Sequence, residues 1–564
     1  MSLLPSLTER ITLHLASLNT FKNYLSSEQK EMQMKSLFKV SAIACALTLV
    51  GCGGDIKINP TVNDNSTTTD NSVSNSNNTS NEGTTEPVEC TSYETDAGTV
   101  EGSFDGLDCL YNDSFASKNI SITANLTFEE LPGGGIHVFE DALLIGEDGR
   151  TDEGFEIPVN GPTMTVKPGA TLAFTSGEAI VRIARGAKIQ AVGTAEKPVT
   201  FTSAFAYDRH DLEGKGAQYA DWGGIIINGN GLTNQCTNAQ RAADTCNVAS
   251  EGITSYFGGN DNEDSSGKIK WAKIWYAGSG PRVGGEGDDL NSLTLNAVGS
   301  GSSFDYLHIH QGFDDGIEFF GGASNIKHIV VTDTQDDAID VDAGWKGNAQ
   351  FLFIQHGTVT TRDGATAYMG NNGFETDGEK NGGDDYSEVP ASFPTIANVT
   401  VITTDGASVR DEDPSQAHKF DDAIKTNYYN SLAIKTDATN GTDCIEFKSD
   451  GLKNAAEIKF NNSVLACSSE FKDATQMPAD MSVEQWYENG GINLRVGGDA
   501  DVLSADGFST NSASTSITIS ANDLSGLDNS FFDTVDFIGA VSDQDTSSAW
   551  YKWVEAAVTA ANND

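Results

Sequence analysis

The stretch FDYLHIHQGFDDGIEFFGG at 304–322, followed by IKHIVVTDTQDDAIDVDAG at 326–344 and AQFLFIQHG at 349–357, decides the fold. In the first copy Leu307 and Ile309 alternate inward and Ile317 starts a second apolar mark; in the next copy these are Ile329, Val331 and Ile339. Each has moved 22 positions along the chain: 307 to 329, 309 to 331, 317 to 339. Short strands that alternate with period two, divided by Gly, Asp and Asn turns and repeated at this pitch, predict the coils of a β-solenoid.

The register extends both ways. The first-strand mark runs Leu307, Ile329, Leu352, Val399, Leu432, Val464, and the second-strand mark Ile317, Ile339, Phe374, Ile424, Ile445, Ile492. Loops at 358–371, 376–394, 403–419 and 468–489 widen individual coils. Upstream, Ala272/Ile274 and Leu293/Leu295 anticipate the two marks, and Pro168-Gly169-Ala170 and Arg185-Gly186-Ala187 each turn one strand into the next. The expected class is all-β, a parallel β-solenoid of roughly nine or ten coils between about 140 and 500. The final run SSAWYKWVEAAVTAAN at 547–562 reads as a short helix with Trp550, Trp553 and Val554 on one face. A terminal cap over the open core is its expected role.

The 58 glycines suit a turn-rich β protein. A formal charge of −47 repels phosphates and excludes nucleic acid as a partner. Residues 35–52, KSLFKVSAIACALTLVGC, hold a basic start at Lys35 and Lys39 and an apolar run at 40–50 too short to span a bilayer. The run closes on Leu49-Val50-Gly51-Cys52, which resembles a bacterial lipobox and implies cleavage before Cys52 and lipidation of that cysteine. Gly53 stands where the inner-membrane retention signal would place an aspartate, so the outer membrane or cell surface is the expected destination. Met34 directly precedes this signal, so 1–33 reads as an extension upstream of the true start. The expected organisation is then 1–33 extension, 34–51 signal peptide, 52–98 low-complexity tether, 99–545 β-helix and 546–564 helical cap. The tether is dominated by Asn, Ser and Thr and buries almost nothing. Six cysteines remain, and the economical pairing is Cys90–Cys109, Cys236–Cys246 and Cys444–Cys467.

The phrases GTAEKPVTFTS (193–203), DWGGIIINGNG (221–231), DDGIEFFGG (314–322) and DDAIDVDAGWKGN (336–348) resemble a family of exported bacterial proteins, often lipoproteins. The resemblance covers about 100–545 and implies a right-handed parallel β-helix of the pectin-lyase-like class. That class holds polysaccharide lyases, glycoside hydrolases and plain binding proteins, so it does not select a chemistry.

Stacking at about 4.8 Å per coil sets one column apart. After each second-strand mark come Glu318, Asp340, Glu375, Lys425, Glu446 and Asn493; two before it come Asp315, Asp337, Asn372, Asp422 and Asp443. Three readings compete for this acidic seam. The first is catalytic: Asp314-Asp315 and Asp336-Asp337 (with Asp421-Asp422 further on) as acid and base, whose separation of about 6.5–9.5 Å for inversion is attainable across coils. Against it, the polygalacturonase marks Asn-Thr-Asp, Gly-His-Gly and Arg-Ile-Lys are missing, and arginine is scarce, with only Arg362, Arg410 and Arg495 after Arg282. The second is an Asx ladder in which each side chain accepts a turn amide. The third is calcium held by Asp314, Asp315, Glu318, Asp336, Asp337 and Asp340, since stacked carboxylates repel unless protonated or bridged. The acidic loop GGNDNEDSSG at 258–267 lacks the central glycine of an EF-hand. His308 and His310 should face outward as surface histidines, with Val330 and Thr332 beneath them; His328, His356 and His418 lie in the same region. Phe319, Phe320, Trp345 and Tyr368 offer either a sugar-stacking platform or packing under loops. The preferred function is a non-catalytic surface lipoprotein, anchored to the membrane by its N-terminal lipid and binding a polysaccharide, matrix or surface protein. The alternative is a polysaccharide lyase or glycoside hydrolase using the seam.

Overall fold

The computed structural model describes residues 88–564 apart from 281–288, 379–388, 405, 407, 409–414, 436–442, 449–456, 473–480, 499, 529 and 564. The chain divides into Met1–Thr84 and Thr85–Asp564. The signal, Cys52 and most of the tether lie outside the described residues, as do Arg282 and Arg410.

The coils carry three strands, where the sequence shows two marks; before 267 all three are separate, as in Thr163–Val166, Thr171–Phe174 and Val181–Ile183, and from Gly267–Trp275 the first two run on as one bent strand. One face (face C) is an 11-stranded parallel sheet from Ser121–Ile122 to Phe471–Lys472. Its rungs include Val181–Ile183, Ile225–Asn228, Leu293–Asn296, Ile317–Phe320, Ile339–Asp342, Asn372–Asp377, Gln416–Asp421 and Ile445–Phe447. An 18-stranded sheet wraps the other two faces. Its long strands Gly267–Trp275, Ser303–His310, Asn325–Thr332, Asn348–Gln355 and Thr395–Thr403 each bend once, at Trp271, Tyr306, His328, Phe351 and Asn398. These five residues have φ between 50° and 60°, and Asn430 and Asn462 repeat the corner in the next coils. Residues before the corner form face A and those after it face B. The corner is why one mark on the sequence became two strands in space.

The register is parallel and follows the 22-residue pitch in the central coils. Leu307, Ile329, Leu352 and Val399 are consecutive partners on face B, as are Leu293, Ile317, Ile339 and Phe374 on face C. All are fully buried in one core. Further on, the expected register fails at four positions. Phe374 pairs with His418 and Ile445 with Phe471, so Ile424 and Ile492 are not on the second-strand mark, and Ile492 is 65% exposed. Thr400 pairs with Leu432 and Leu432 with Val464, which puts Ser431 in the slot of Val399. A slip of one residue reverses the face. Ala433 and Leu465 therefore enter the core, while Leu432 and Val464 point out and are covered by Val502 and Ile538.

The C-terminal helix Ala549–Ala561 forms where expected, with Ser548 capping its first turn. Its place is different from the expected cap. Trp550, Trp553 and Val554 pack with Val330, Phe351 and Phe353 on the flank of the middle coils. Trp553 Nε1 donates to the Leu307 carbonyl at 3.3 Å. The end of the core is closed instead by a short helix inside the 468–489 loop, Val483–Asn489, whose Trp486 lies 4.9 Å edge-on to Phe447. The chain between the solenoid and the final helix returns along the corner. Asn462 Nδ2 donates to the Ser520 carbonyl (2.8 Å), Asn430 Oδ1 accepts from Asn522 N (2.6 Å), and Asn398 Nδ2 donates to the Phe537 carbonyl (3.2 Å). Gln350 exchanges two bonds with the backbone of Asp533 (2.7 and 2.8 Å). We call 500–548 the strap. All three expected disulfides form, with Cα–Cα separations of 5.5, 5.7 and 6.1 Å.

Removing the final helix, by truncation after Ser548, should uncover the aromatic corner. The expected result is stronger binding of a hydrophobic dye and a lower melting temperature with an unchanged far-UV β signal. Trp553→Ala alone should cost about 3–5 kcal/mol in denaturant unfolding; unchanged stability would remove the helix from the flank.

Candidate functional site

Face C carries the seam. Because Ile317 and Phe319 point into the core, Glu318 and Phe320 point out, and pairing extends these into two outward columns. One reads Thr294, Glu318, Asp340, Glu375, Lys419, Glu446; the other reads Asn296, Phe320, Asp342, Asp377, Asp421. The basic member of the first column is thus Lys419, where the sequence pointed to Lys425. Likewise Asn493 lies off this face, accepting from Ser463 N at 3.1 Å, and Gln416 replaces Asp422 two before the mark.

Loops rise on both edges of this face. Along one, 229–259 holds the short helix Asn238–Ala242 and the Cys236–Cys246 disulfide. Buried Arg241 donates to the carbonyls of Thr233 (2.6 Å) and Val389 (2.7 Å), and Asn234 Nδ2 to that of Gly378 (2.9 Å), linking this loop to the next. The other edge bears the hairpin of Thr358–Thr360 and Thr366–Tyr368. Arg362 holds it by donating to both oxygens of Asp221 at 2.7 and 2.8 Å.

At this second edge the Asx ladder is formed. Asn291 Oδ1 accepts from Asp315 N (3.1 Å), Asp315 Oδ1 from Asp337 N (2.9 Å), and Asp337 Oδ1 from Asn372 N (2.7 Å) and Nδ2 (2.8 Å). Each side chain thereby satisfies the turn amide of the following coil. The structure also brings five of the six candidate cation ligands into two triads: Asp314, Asp315 and Asp336, and Asp315, Glu318 and Asp340, each offering oxygens within 4.8 Å of one another. Asp337 belongs to neither. A third triad, Glu375, Asp377 and Asp421, was not singled out from the sequence, because the strand QAHKFD at 416–421 hides its register behind an inward histidine.

Crowding and burial set the protonation. Burial, then the charges of Asp314 and Asp337, hold the Asp315 carboxyl well above its ordinary pKa. Burial and the neighbouring Glu375 and Asp336 do the same for Asp337. Burial also opposes ionisation of Glu375, but the Lys419 ammonium bound to it overrides this and lowers its pKa. The seam is therefore neither uniformly ionised nor uniformly neutral.

The histidines correct the sequence reading. His308 and His310 do point away from the core, yet they are 2% and 0% exposed. Trp275 Nε1 donates to His308 Nδ1 (3.1 Å), so His308 carries its proton on Nε2 and donates to Thr332 Oγ1 (3.0 Å). Thr332 in turn lies 2.8 Å from His310 Nδ1. His418 occupies an inward slot between Phe374 and Phe420, with neither ring nitrogen hydrogen-bonded, and burial lowers its pKa to about 3. Of the aromatic residues, Phe319 and Trp345 stack at 3.9 Å inside the core and Phe320 is buried, so only Tyr368, at 39% exposure, remains at the surface. The 258–267 loop uses its side chains to hold the neighbouring 230–232 backbone: Asp264 Oδ2 accepts from Asn230 N (3.1 Å) and Asn262 Oδ1 from Leu232 N (2.7 Å).

Residues 153–501 match a family model described as a pectate-lyase-like beta helix domain, which spans the seam and most rungs of face C. Comparison with curated proteins and with solved structures gives no match.

His418 makes stability depend on pH with a definite sign. Its folded pKa is about 3 against roughly 6.5 in the unfolded chain. The unfolded state therefore binds more protons between these values, and the stabilisation, complete above the unfolded pKa, is lost as pH falls towards the folded one. Between pH 7.5 and 5 the loss should be about 2 kcal/mol, and His418→Phe should remove that share. Denaturant unfolding at the two pH values measures it; an equal pH dependence in the variant would show His418 accessible to protons in the native state.

Proposed function

The chain belongs to the pectate-lyase-like β-helix domain family, and from that premise we propose that it is a non-catalytic binding or adhesion scaffold, stabilised by calcium in its acidic seam. In this reading residues 34–51 are a lipoprotein signal, Cys52 carries the lipid, the tether from 52 ends before the disulfide-bonded Cys90 and the strand Ser92–Thr95 rather than at 98, and the β-helix is displayed at the outer membrane or cell surface. Its ligand is a glycan, a matrix component or a surface protein.

The ladder carries the reading. An acid or base at a glycosidic bond needs its carboxyl oxygens directed at substrate. Here Asp315 and Asp337 spend Oδ1 on the amides of the next coil, and they are buried at 7% and 2% exposure. The triads supply what a hard cation takes, several carboxylate oxygens from adjacent coils with no nitrogen or sulfur donor. Asp314, Asp336, Glu318 and Asp340 complete them at the ladder's outer side.

One observation favours the enzyme reading. Asp337 is raised and Glu375 lowered in pKa within one cluster, and such divergence separates an acid from a base. A polysaccharide lyase or glycoside hydrolase would use Asp314, Asp315, Asp336 and Asp337, with Glu375 added as the ionised partner of Asp337.

Asp315→Asn separates these readings, because asparagine keeps the ladder acceptor and removes a charge common to both cation triads. Calcium at about a hundredfold above Kd should stabilise the wild type by about 2.7 kcal/mol, and a chelator should abolish that gain. The gain should grow as pH rises above the ordinary carboxylate range: the raised acid pKa of Asp315 means that its favourable contribution is lost as pH rises, and the cation offsets this. Asp315→Asn should shrink the calcium dependence. No effect of chelator sinks the cation site, and release of reducing ends or unsaturated products from a glycan panel, lost in Asp336→Asn, replaces the scaffold by an enzyme. Cys52→Ser should release the protein from membranes or block its maturation; equal retention after a salt wash refutes the lipid anchor.

A further inference from the structure

On face C a lysine and an asparagine from neighbouring coils meet across one carboxylate. Glu375 and Lys419 are register partners on the adjacent parallel strands Asn372–Asp377 and Gln416–Asp421. The Lys419 ammonium donates to Glu375 Oε1. The other oxygen of the same carboxylate, Oε2, lies 3.5 Å from Asn372 Nδ2. Asn372 Nδ2 also donates to Asp337 Oδ1 at 2.8 Å, and Asp337 is hydrogen-bonded in turn to Glu375. Water is largely excluded: Asn372 is fully buried, Asp337 is 2% exposed, and the side chains of Lys419 and Glu375 are 11% and 19% exposed.

Within this cluster Asn372 Oδ1 is buried and accepts no hydrogen bond, a costly state for a carbonyl that a turn or ladder role does not account for. Both carboxyls instead face the amide nitrogen, the group that departs when an amide carbon is attacked. A primary amine, the nucleophile such an attack needs, sits on the same carboxylate. Of the two acids Asp337 holds its proton and Glu375 its charge, so one is suited to protonate a leaving group and the other to deprotonate a nucleophile.

We propose that Lys419 and Asn372 are joined by an isopeptide bond, with Glu375 as the base and Asp337 as the acid of its formation. Glu375 takes one proton from the ammonium, and Lys419 Nζ bonds to Asn372 Cγ. Asp337 gives its proton to Nδ2, the Cγ–Nδ2 bond breaks, and ammonia leaves. The second proton that Nζ sheds returns to Asp337. No oxidant or reductant takes part, and an ion pair is exchanged for an amide and a neutral acid. Glu375 and Asp337 hold the lysine in its charged form, so proton transfer to Glu375 must precede attack. The bond joins strands 44 positions apart in register (375 to 419), against 22 in the central coils (317 to 339). It closes a long loop there, as the Cys444–Cys467 disulfide closes a shorter one further on. The proposal does not depend on what the solenoid binds.

Reduction and alkylation of the purified full chain open its disulfides but spare an amide, so a tryptic mass map is the test. A modified Lys419 resists trypsin. The wild type should therefore give a branched species joining 363–380 to 411–425, lighter than the two peptides together by one ammonia, about 17 Da. Lys419→Met and Glu375→Gln should each give linear peptides only. Linear peptides alone from the wild type overturn the bond. So does an ammonia loss confined to 363–380 that persists in Lys419→Met, which marks a succinimide at Asn372-Gly373. A branch that persists in Glu375→Gln overturns the assignment of the base. The wild-type map decides the bond whether or not either variant folds.

Discussion

The bend between faces A and B depends on a backbone conformation that L-residues avoid. In coil after coil a non-glycine residue sits at φ near +55°, at Trp271, Tyr306, His328, Phe351, Asn398, Asn430 and Asn462. Each such residue costs about 1–2 kcal/mol, and glycine would avoid the cost. Side chains are nevertheless present because stacking gives them partners. Trp271 lies 3.6 Å from Tyr306, Tyr306 lies 4.2 Å from His328, and His328 lies 5.0 Å from Phe351. Where the column changes to asparagine, the amides reach the returning strap instead. The corner is strained by conformation and stabilised by repetition, so the strap and the final helix, which cover both halves of it, belong to the same solution.

Repetition has the opposite sign for charge. A column of isoleucine gains dispersion contacts at each rung, whereas a column of carboxylates at about 4.8 Å accumulates repulsion. The seam meets this in several ways. Asp315 and Asp337 are drawn into amide ladders, Lys419 is inserted against Glu375, and burial keeps the most crowded acids from ionising fully. Perturbed acids are therefore what stacking alone produces here, which weakens their usual value as a mark of catalysis.

The periodic part of the fold was legible because it depends on residue type alone. Leu307, Ile329 and Leu352 face inward for the same reason, and the pitch follows from their spacing. Legibility failed where the slot and the residue disagree. His418 fills a place held by Ile339 and Phe374 in earlier rungs, and Ser431 fills that of Val399. A reader of apolar marks passes over both and settles on Ile424 and Leu432, one of them off the strand and the other on its outer side. The corner was invisible for a different reason: positive φ has no sequence signature when Trp, Tyr, His, Phe and Asn all serve. At the site, the acids of consecutive coils without insertions were brought together as expected. Asp377 was missed, and Asp421 was named only as half of a separate acidic pair, because a loop of variable length separates their strands.

A solenoid joins each coil only to its neighbours, so its ends and middle can in principle open separately. This chain has added contacts that ignore that order. Lys327 bonds the backbone of residue 531, Gln350 that of 533, and Trp553 that of 307, so one segment touches coils laid down more than a hundred residues earlier and spans the corner from Asn462 back to Trp271. Opening any of these coils must also free part of the strap, which couples them into one unit. Whatever stabilises a single coil in that stretch, a ladder amide, the Lys419–Glu375 pair or a cation between Asp315 and Asp340, then stabilises all the coils under the strap. An acidic seam placed in the middle of the solenoid, rather than at an end, is positioned where that coupling is greatest.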